Sequence, residues 1–256
     1  MKKKLIILTG PTAVGKTDLS IRLARTVGGE IISADSMQVY RRMDIGTAKI
    51  RPEEMDGVRH HLIDILEPTE SFNAFLFKEY ALKAANEIWE RGSIPIIVGG
   101  TGFYIQTLLY DIEFAKSDEN DGIRDELNKL YEEHGAAFLH DMLAKVDPEY
   151  AAEVHENNVK KVIRAIEFYR QTGHKLSEHN TEQRERTSPY NFEYFVLSDD
   201  RTVLYERIDK RIDGMVEAGL IAEVQALLDE GVDRESVAMQ GLGYKEIASY
   251  LAGEIS

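Results

Sequence analysis

Short apolar runs alternate with longer amphipathic stretches through the first hundred residues. "LIILT" (5–9), "EIISAD" (30–35), "HHLIDIL" (60–66) and "IPIIVGG" (94–100) are rich in Ile, Leu and Val and are bounded by glycine, proline or polar residues. Unbroken apolar runs of this kind predict strands buried on both faces. Between them, apolar positions at helical spacing predict helices over 16–27, about 72–91 and 102–110. The alternation predicts an α/β fold, a parallel sheet flanked by helices. A fifth run, "EYFVLS" (193–198), comes much later. The interval 116–187 holds no credible strand and reads as helices over about 121–133, 135–145, 147–154 and 157–171. Helices over 201–218, 219–230 and about 243–252 then return to the core. The expected organisation is a core made of 1–115 and 188–256, with 116–187 as an all-helical insertion.

Composition narrows the setting. At 256 residues, 43% hydrophobic and 30% charged, the chain suits one large domain or a core with a smaller one attached. It has no cysteine, which excludes disulfides and thiolate metal sites. No apolar run approaches the ~20 residues of a membrane span. The start "MKKKLIILTG" has an apolar run too short for a signal peptide, so a cytoplasmic protein with no membrane partner is expected. The net charge of −14 at first opposes nucleic-acid binding. The charge is uneven, however: +6 over residues 1–51, −8 over 116–156 and +3 over 157–186. That leaves either a basic channel or an ordinary solvated surface.

The candidate chemistry begins with "GPTAVGKT", the residues Gly10, Pro11, Thr12, Ala13, Val14, Gly15, Lys16 and Thr17. A strand before and a helix after give the context of a P-loop, whose backbone N–H groups curl around a di- or triphosphate. Lys16 would add a mobile cation and Thr17 a hydroxyl suited to Mg²⁺. Asp35 lies just past the second predicted strand, at the sheet edge where ligands bind in open α/β folds. It is either a turn carboxylate or a base beside the phosphate site. Ser36 and Gln38 follow with groups suited to a base edge, then Arg41, Arg42 and Lys49. "VGGTGFY" (98–104) would bring N–H groups and Thr101 to the same edge, or is simply a tight turn. Arg207 and Arg211 share a helix face. They form either a phosphate clamp or surface pairs with Glu206 and Asp209. His60 and His61 lack a third ligand at sensible spacing and read as structural. The aromatic-rich "SFNAFLFKEY" (71–80) is core or the wall of an apolar pocket.

Seven strings occur in one order: "GPTAVGKT", "SADSMQVYRRMDIGTAK", "HHLIDI", "GGTGFY", "NNVKKVIRAIEFYRQTG", "RIDKRIDGMVEAGLIAEV" and "GLGYKEIASYLAGEIS". In that order they closely resemble the bacterial tRNA dimethylallyltransferases, also called tRNA isopentenyltransferases. The resemblance implies that the loop holds dimethylallyl diphosphate, with the exocyclic amine of the adenosine 3′ of the anticodon as acceptor. It implies Asp35 as base, Thr101 beside the reacting centre, and Lys16 and Arg211 on the diphosphate, with Mg²⁺ held partly by Thr17. Asp35, Ser36, Met37, Gln38 and Thr101 would meet the flipped adenosine and its neighbour. The insertion would grip the anticodon stem-loop through Arg124, Val159, Lys160, Lys161, Val162 and Ile163. A monomer is expected. The chain departs from the family at Glu156, usually proline, and at Lys161, usually arginine. Family members also usually continue beyond "YLAGEIS" with a basic helical segment. A P-loop kinase of nucleotides or small metabolites is the main alternative. An isopentenyltransferase of free adenine nucleotides and a non-catalytic RNA-binding switch are the others.

Overall fold

The computed structural model describes residues 2–114 and 122–255. Its core is a five-stranded sheet in the order β3-β2-β4-β1-β5, formed by β1 (Lys4–Thr9), β2 (Gly29–Ser33), β3 (His60–His61), β4 (Ile94–Gly99) and β5 (Asn191–Val196). All the pairings are parallel, with Ile6 opposite Ile96 and Ile31 opposite the same Ile96. Successive side chains point to opposite faces. Ile31 and Ile96 therefore pack with Ile21 and Ala24 of α1 (Lys16–Val27). Ile32 and Ile97, fully buried, face the side taken by α2 (Ala74–Glu90). Asn73 caps α2 by accepting from Leu76 N at 3.0 Å, which fixes where that helix starts. α3 (Gly102–Leu109) follows β4 and packs on α2.

The third strand is shorter than its apolar run predicts. Only His60–His61 pairs with β2, because Leu62 and Asp64 take left-handed φ values of 64° and 55°; Leu66 then makes a single parallel bridge to Tyr40. β5 is the other departure from expectation. Among the described residues it is an edge strand, and its side chains are exposed, Val196 to 65%, except the half-buried Phe192.

By contacts the chain divides into two units, 1–109 with 188–256, and 110–187. The expected boundary at 115/116 lies outside the described residues. The second unit is helical among its described residues: α4 (Ile123–His134), α5 (Ala136–Val146), α6 (Pro148–Glu153), α7 (Val159–Thr172) and α8 (Leu176–Arg184). It has its own core, centred on Leu127, Leu139, Leu143, Val162 and Ile166. Buried Asp147 caps α6 through Tyr150 N and also binds Ser177 N and Oγ, at 2.9 and 2.7 Å, near the start of α8. The first unit closes with α9 (Arg201–Glu217), α10 (Leu220–Asp229) and α11 (Tyr244–Leu251). No helix among the described residues is long and apolar enough to cross a membrane.

Candidate active site

The loop Gly10–Thr17 joins β1 to α1, so its N–H groups lie at a helix N-terminus. Gly10 has φ of 151°, and a Cβ there would sit 2.5 Å from the Leu197 carbonyl oxygen, which excludes any side chain. Pro11 and Thr12 are exposed, Ala13 is left-handed at φ 63°, and Val14 and Gly15 complete the curl into Lys16. Thr17 is exposed in the first turn of α1. The Lys16 ammonium donates to the Gly10 and Pro11 carbonyls at 2.8 and 2.7 Å. Burial lowers the Lys16 pKa and the Arg211 charge lowers it further, while Asp35 opposes both.

Asp35 follows the C-terminal end of β2. Its Oδ1 accepts from Met37 N at 2.8 Å and Gln38 N at 3.3 Å, so the loop after it folds back on the carboxylate. Burial also lowers the Arg211 pKa, and again the Asp35 charge opposes the shift. Burial, then Asp35, pushes the Tyr104 phenol up to about 12. Lys16, Arg211 and Tyr104 thus all lie within the field of one carboxylate. This arrangement joins the ends of β1, β2 and β4 to α9, the pattern expected at the ligand edge of a parallel sheet. Thr101 belongs to the same edge: its N–H donates to Ala34 O at 3.3 Å and its carbonyl accepts from Ile105 in α3. Ser36 is half-buried. Gln38 is fixed between Ser33 Oγ at 3.1 Å and the Thr47 carbonyl at 3.3 Å.

Arg207 pairs with Asp199 at 2.9 Å and lies 3.5 Å from the Ala13 carbonyl, beside the phosphate loop. It makes neither of the surface pairs expected from sequence. Arg41 and Arg42 share Glu67 at 2.7 Å each. Lys49 is a buried hub, only 4% exposed, binding Asp44, Asp64 and the Tyr40 carbonyl. His60 meets the Val58 carbonyl and His61 meets Glu30, the structural roles expected of them.

In the helical unit, Val159, Lys160 and Lys161 form the first turn of α7, and both lysines are exposed. Val162 and Ile163, which the resemblance places among the tRNA-binding residues, lie beneath that first turn. They are 0% and 5% exposed and belong to that unit's core, where helical spacing puts them. Arg124 is exposed and ion-paired with Glu167 of α7.

Residues 38–256 match the profile of the IPP transferase family. The chain belongs to the IPP transferase family. Its relatives agree: the tRNA dimethylallyltransferase of Lachnoclostridium phytofermentans is 58% identical over 252 residues, 98% of this chain and 80% of its own. The full-length tRNA isopentenylpyrophosphate transferase from Bacillus halodurans aligns with TM-score 0.72 at 46% identity, over 100% of this chain and 79% of its own. A eukaryotic dimethylallyltransferase solved acting on tRNA aligns with TM-score 0.87 at 34% identity, over 98% of this chain and 64% of its own.

Two further residues of this IPP transferase matter beyond those singled out in the sequence. Tyr104 stacks on Phe77 at 4.7 Å and meets Phe72 edge-on at 5.7 Å, so the "SFNAFLFKEY" aromatics back the Asp35 site. Its position in α3, three residues after Thr101, was the available signal. Glu223 reaches the loop after Asp35 from 179 positions away, a contact with no local signal.

Proposed function

We propose that this chain transfers the dimethylallyl group of dimethylallyl diphosphate to the exocyclic amine of the adenosine 3′-adjacent to the anticodon, in tRNAs reading U-starting codons. Diphosphate is released. The observation that carries this reading is Asp35, set beside a phosphate loop in the shared field of Lys16 and Arg211, in a chain of the IPP transferase family.

The amine is a poor nucleophile because its lone pair is delocalised into the ring. Its nitrogen attacks C1 of the dimethylallyl group, and the C1–O bond breaks with its electron pair going to the diphosphate. The nitrogen's proton passes to the Asp35 carboxylate. General base catalysis of this kind contributes about 10²–10⁴-fold. Negative charge grows on the leaving oxygen, and Lys16, Arg211 and the N–H groups of residues 10–17 would stabilise it. Lys16 would exchange its carbonyl partners for diphosphate oxygens, which return the charge compensation that burial takes away. Thr101, Ser36, Met37 and Gln38 would orient the base once it has left its stack.

Magnesium fits the donor set. Thr17 offers one exposed hydroxyl beside the loop, and the described residues hold no group of three or more His, Asp or Glu placed to bind a metal. Mg²⁺ usually keeps few protein ligands and takes the rest from phosphates and water. Bound there, it would neutralise charge on the leaving diphosphate. The exposed Lys160 and Lys161 at the start of α7, with Arg124, are the residues we assign to tRNA phosphates. A cytoplasmic monomer is part of the same reading.

Labelled dimethylallyl diphosphate, mixed with unmodified tRNA and Mg²⁺, should pass its label to the tRNA. Asp35→Ala should slow that transfer by about 10²–10⁴-fold. ATP turnover without prenyl transfer would overturn the reading in favour of a kinase, an alternative that the family and its relatives do not support.

A further inference from the structure

The segment from Asp35 to Lys49 contains no regular helix or strand, yet it carries the residues assigned to the acceptor base. Some of its backbone groups pair within the segment, as Ala48 N with Ile45 O and Lys49 N with Asp44 O, and the rest need partners from elsewhere. Three of the latter meet at one point. Glu223, on α10, accepts from three consecutive amides: Asp44 N at 2.9 Å and Ile45 N at 2.8 Å on Oε2, and Gly46 N at 3.2 Å on Oε1. The Tyr244 phenol, at the start of α11, donates to the same Oε1. A carboxylate has about four lone-pair sites. Here they are met by four neutral donors. The Tyr244 ring also lies on Gly46, where a Cβ would come within 2.5 Å of it.

The clamp is connected to the site by a chain of hydrogen bonds. Thr47 Oγ1 donates to Met43 O at 2.6 Å, and the Thr47 carbonyl accepts from the Gln38 amide. Gln38 N in turn donates to Asp35 Oδ1. A second tie is made where Gly241, just before α11, packs against the Met37 sulfur. α10 also follows directly from α9, which bears Arg211.

We propose that Glu223 is a positioning residue for the acceptor base, holding the Asp35–Thr47 segment in register through the amides of 44–46 with Tyr244 as its co-donor. The inference rests on the prenyl-transfer reading above. Replacing the carboxylate with an amide removes acceptor capacity and turns an NH₂ toward backbone donors. The phosphate loop shares none of these bonds, so donor binding and acceptor use should separate.

The test compares wild type with Glu223→Gln and the milder Tyr244→Phe. Glu223→Gln should lower kcat/KM for the anticodon stem-loop by about ten- to hundredfold, the loss expected for a hydrogen bond to a charged group. Affinity for dimethylallyl diphosphate should change by less than about twofold, since no donor contact is removed. Amides 44–46 should exchange hydrogen faster in the same variant. Tyr244→Phe should show the same split with a smaller loss. Partial misfolding would instead reduce donor-binding capacity and acceptor turnover together. Equal loss on both substrates, unchanged kinetics on the stem-loop, or unchanged exchange at 44–46 would each overturn the proposal while wild type stays active. A wild type that transfers no prenyl group would overturn the underlying reading instead.

Discussion

Lys16 shows how the site sets its own working range. Its pKa lies below the ordinary lysine value because burial and Arg211 disfavour the charged form more than Asp35 favours it. A lowered pKa means that the folded chain releases this proton at a lower pH than the unfolded chain does. Affinity for inorganic diphosphate should therefore start to fall at a pH below the ~10.4 of a free lysine. Binding on that alkaline limb should draw a proton from solution, because the anion restores the ammonium. Calorimetry in two buffers of different ionisation enthalpy reads this uptake directly. Arg211→Ala removes one cause of the shift and should move the limb to higher pH, while weakening diphosphate binding overall. Identical limbs in the two proteins would contradict the coupling.

Asp147 is the corresponding device between elements, because one carboxylate starts α6 and holds Ser177 of α8. Burial alone would raise its pKa, but the bonds from Ser177, Tyr150 and Leu176 outweigh that and leave it below the usual value. The stabilisation is thus complete above the unfolded value near 3.9 and is lost as pH falls through the lower folded value. Asp147→Ala should cost about 1–3 kcal/mol at neutral pH, because the Ser177 amide is left buried and unpaired. Urea unfolding followed through amides of 110–187 checks this, and the difference from wild type should shrink below pH ~4. How far such elements could be read in advance varied with their physics. β1, its glycine loop and α1 were legible because a two-sided apolar run, a loop with fixed spacing and a helical stripe occur in succession. β3 was over-read, since nothing in "HHLIDIL" announces that Leu62 and Asp64 turn left-handed. α8 was missed because "LSEHNTEQR" is almost wholly polar and follows a turn at "TGHK". At the site, the loop and Asp35 were marked by spacing and sheet position. The burial of Lys49 and the reach of Glu223 depend on folding across long separations, which no window of sequence contains.

At the scale of the whole chain, two cores imply two cooperative structures. The residues 110–187 bury Leu127, Leu139, Leu143, Val162 and Ile166 among themselves, and the sheet buries its own set with α1 and α2. Hydrogen exchange should therefore resolve two groups of amides with distinct opening free energies, assorted by unit. Dimethylallyl diphosphate should slow exchange in the sheet unit and leave 110–187 nearly unchanged; a uniform response would mean one cooperative unit. The open edge at β5 bears on something else, the behaviour of the protein in a tube. Tyr194, Phe195 and Val196 are exposed beside a row of backbone groups that face no further strand among the described residues. Such an edge is a template for sticking. The −14 charge opposes such contact between copies, and its reach is only about 10 Å at 0.1 M salt and 3 Å at 1 M. Concentrated stocks of this chain should therefore stay clear in dilute buffer and cloud as salt is added, a trend that light scattering against salt concentration reads.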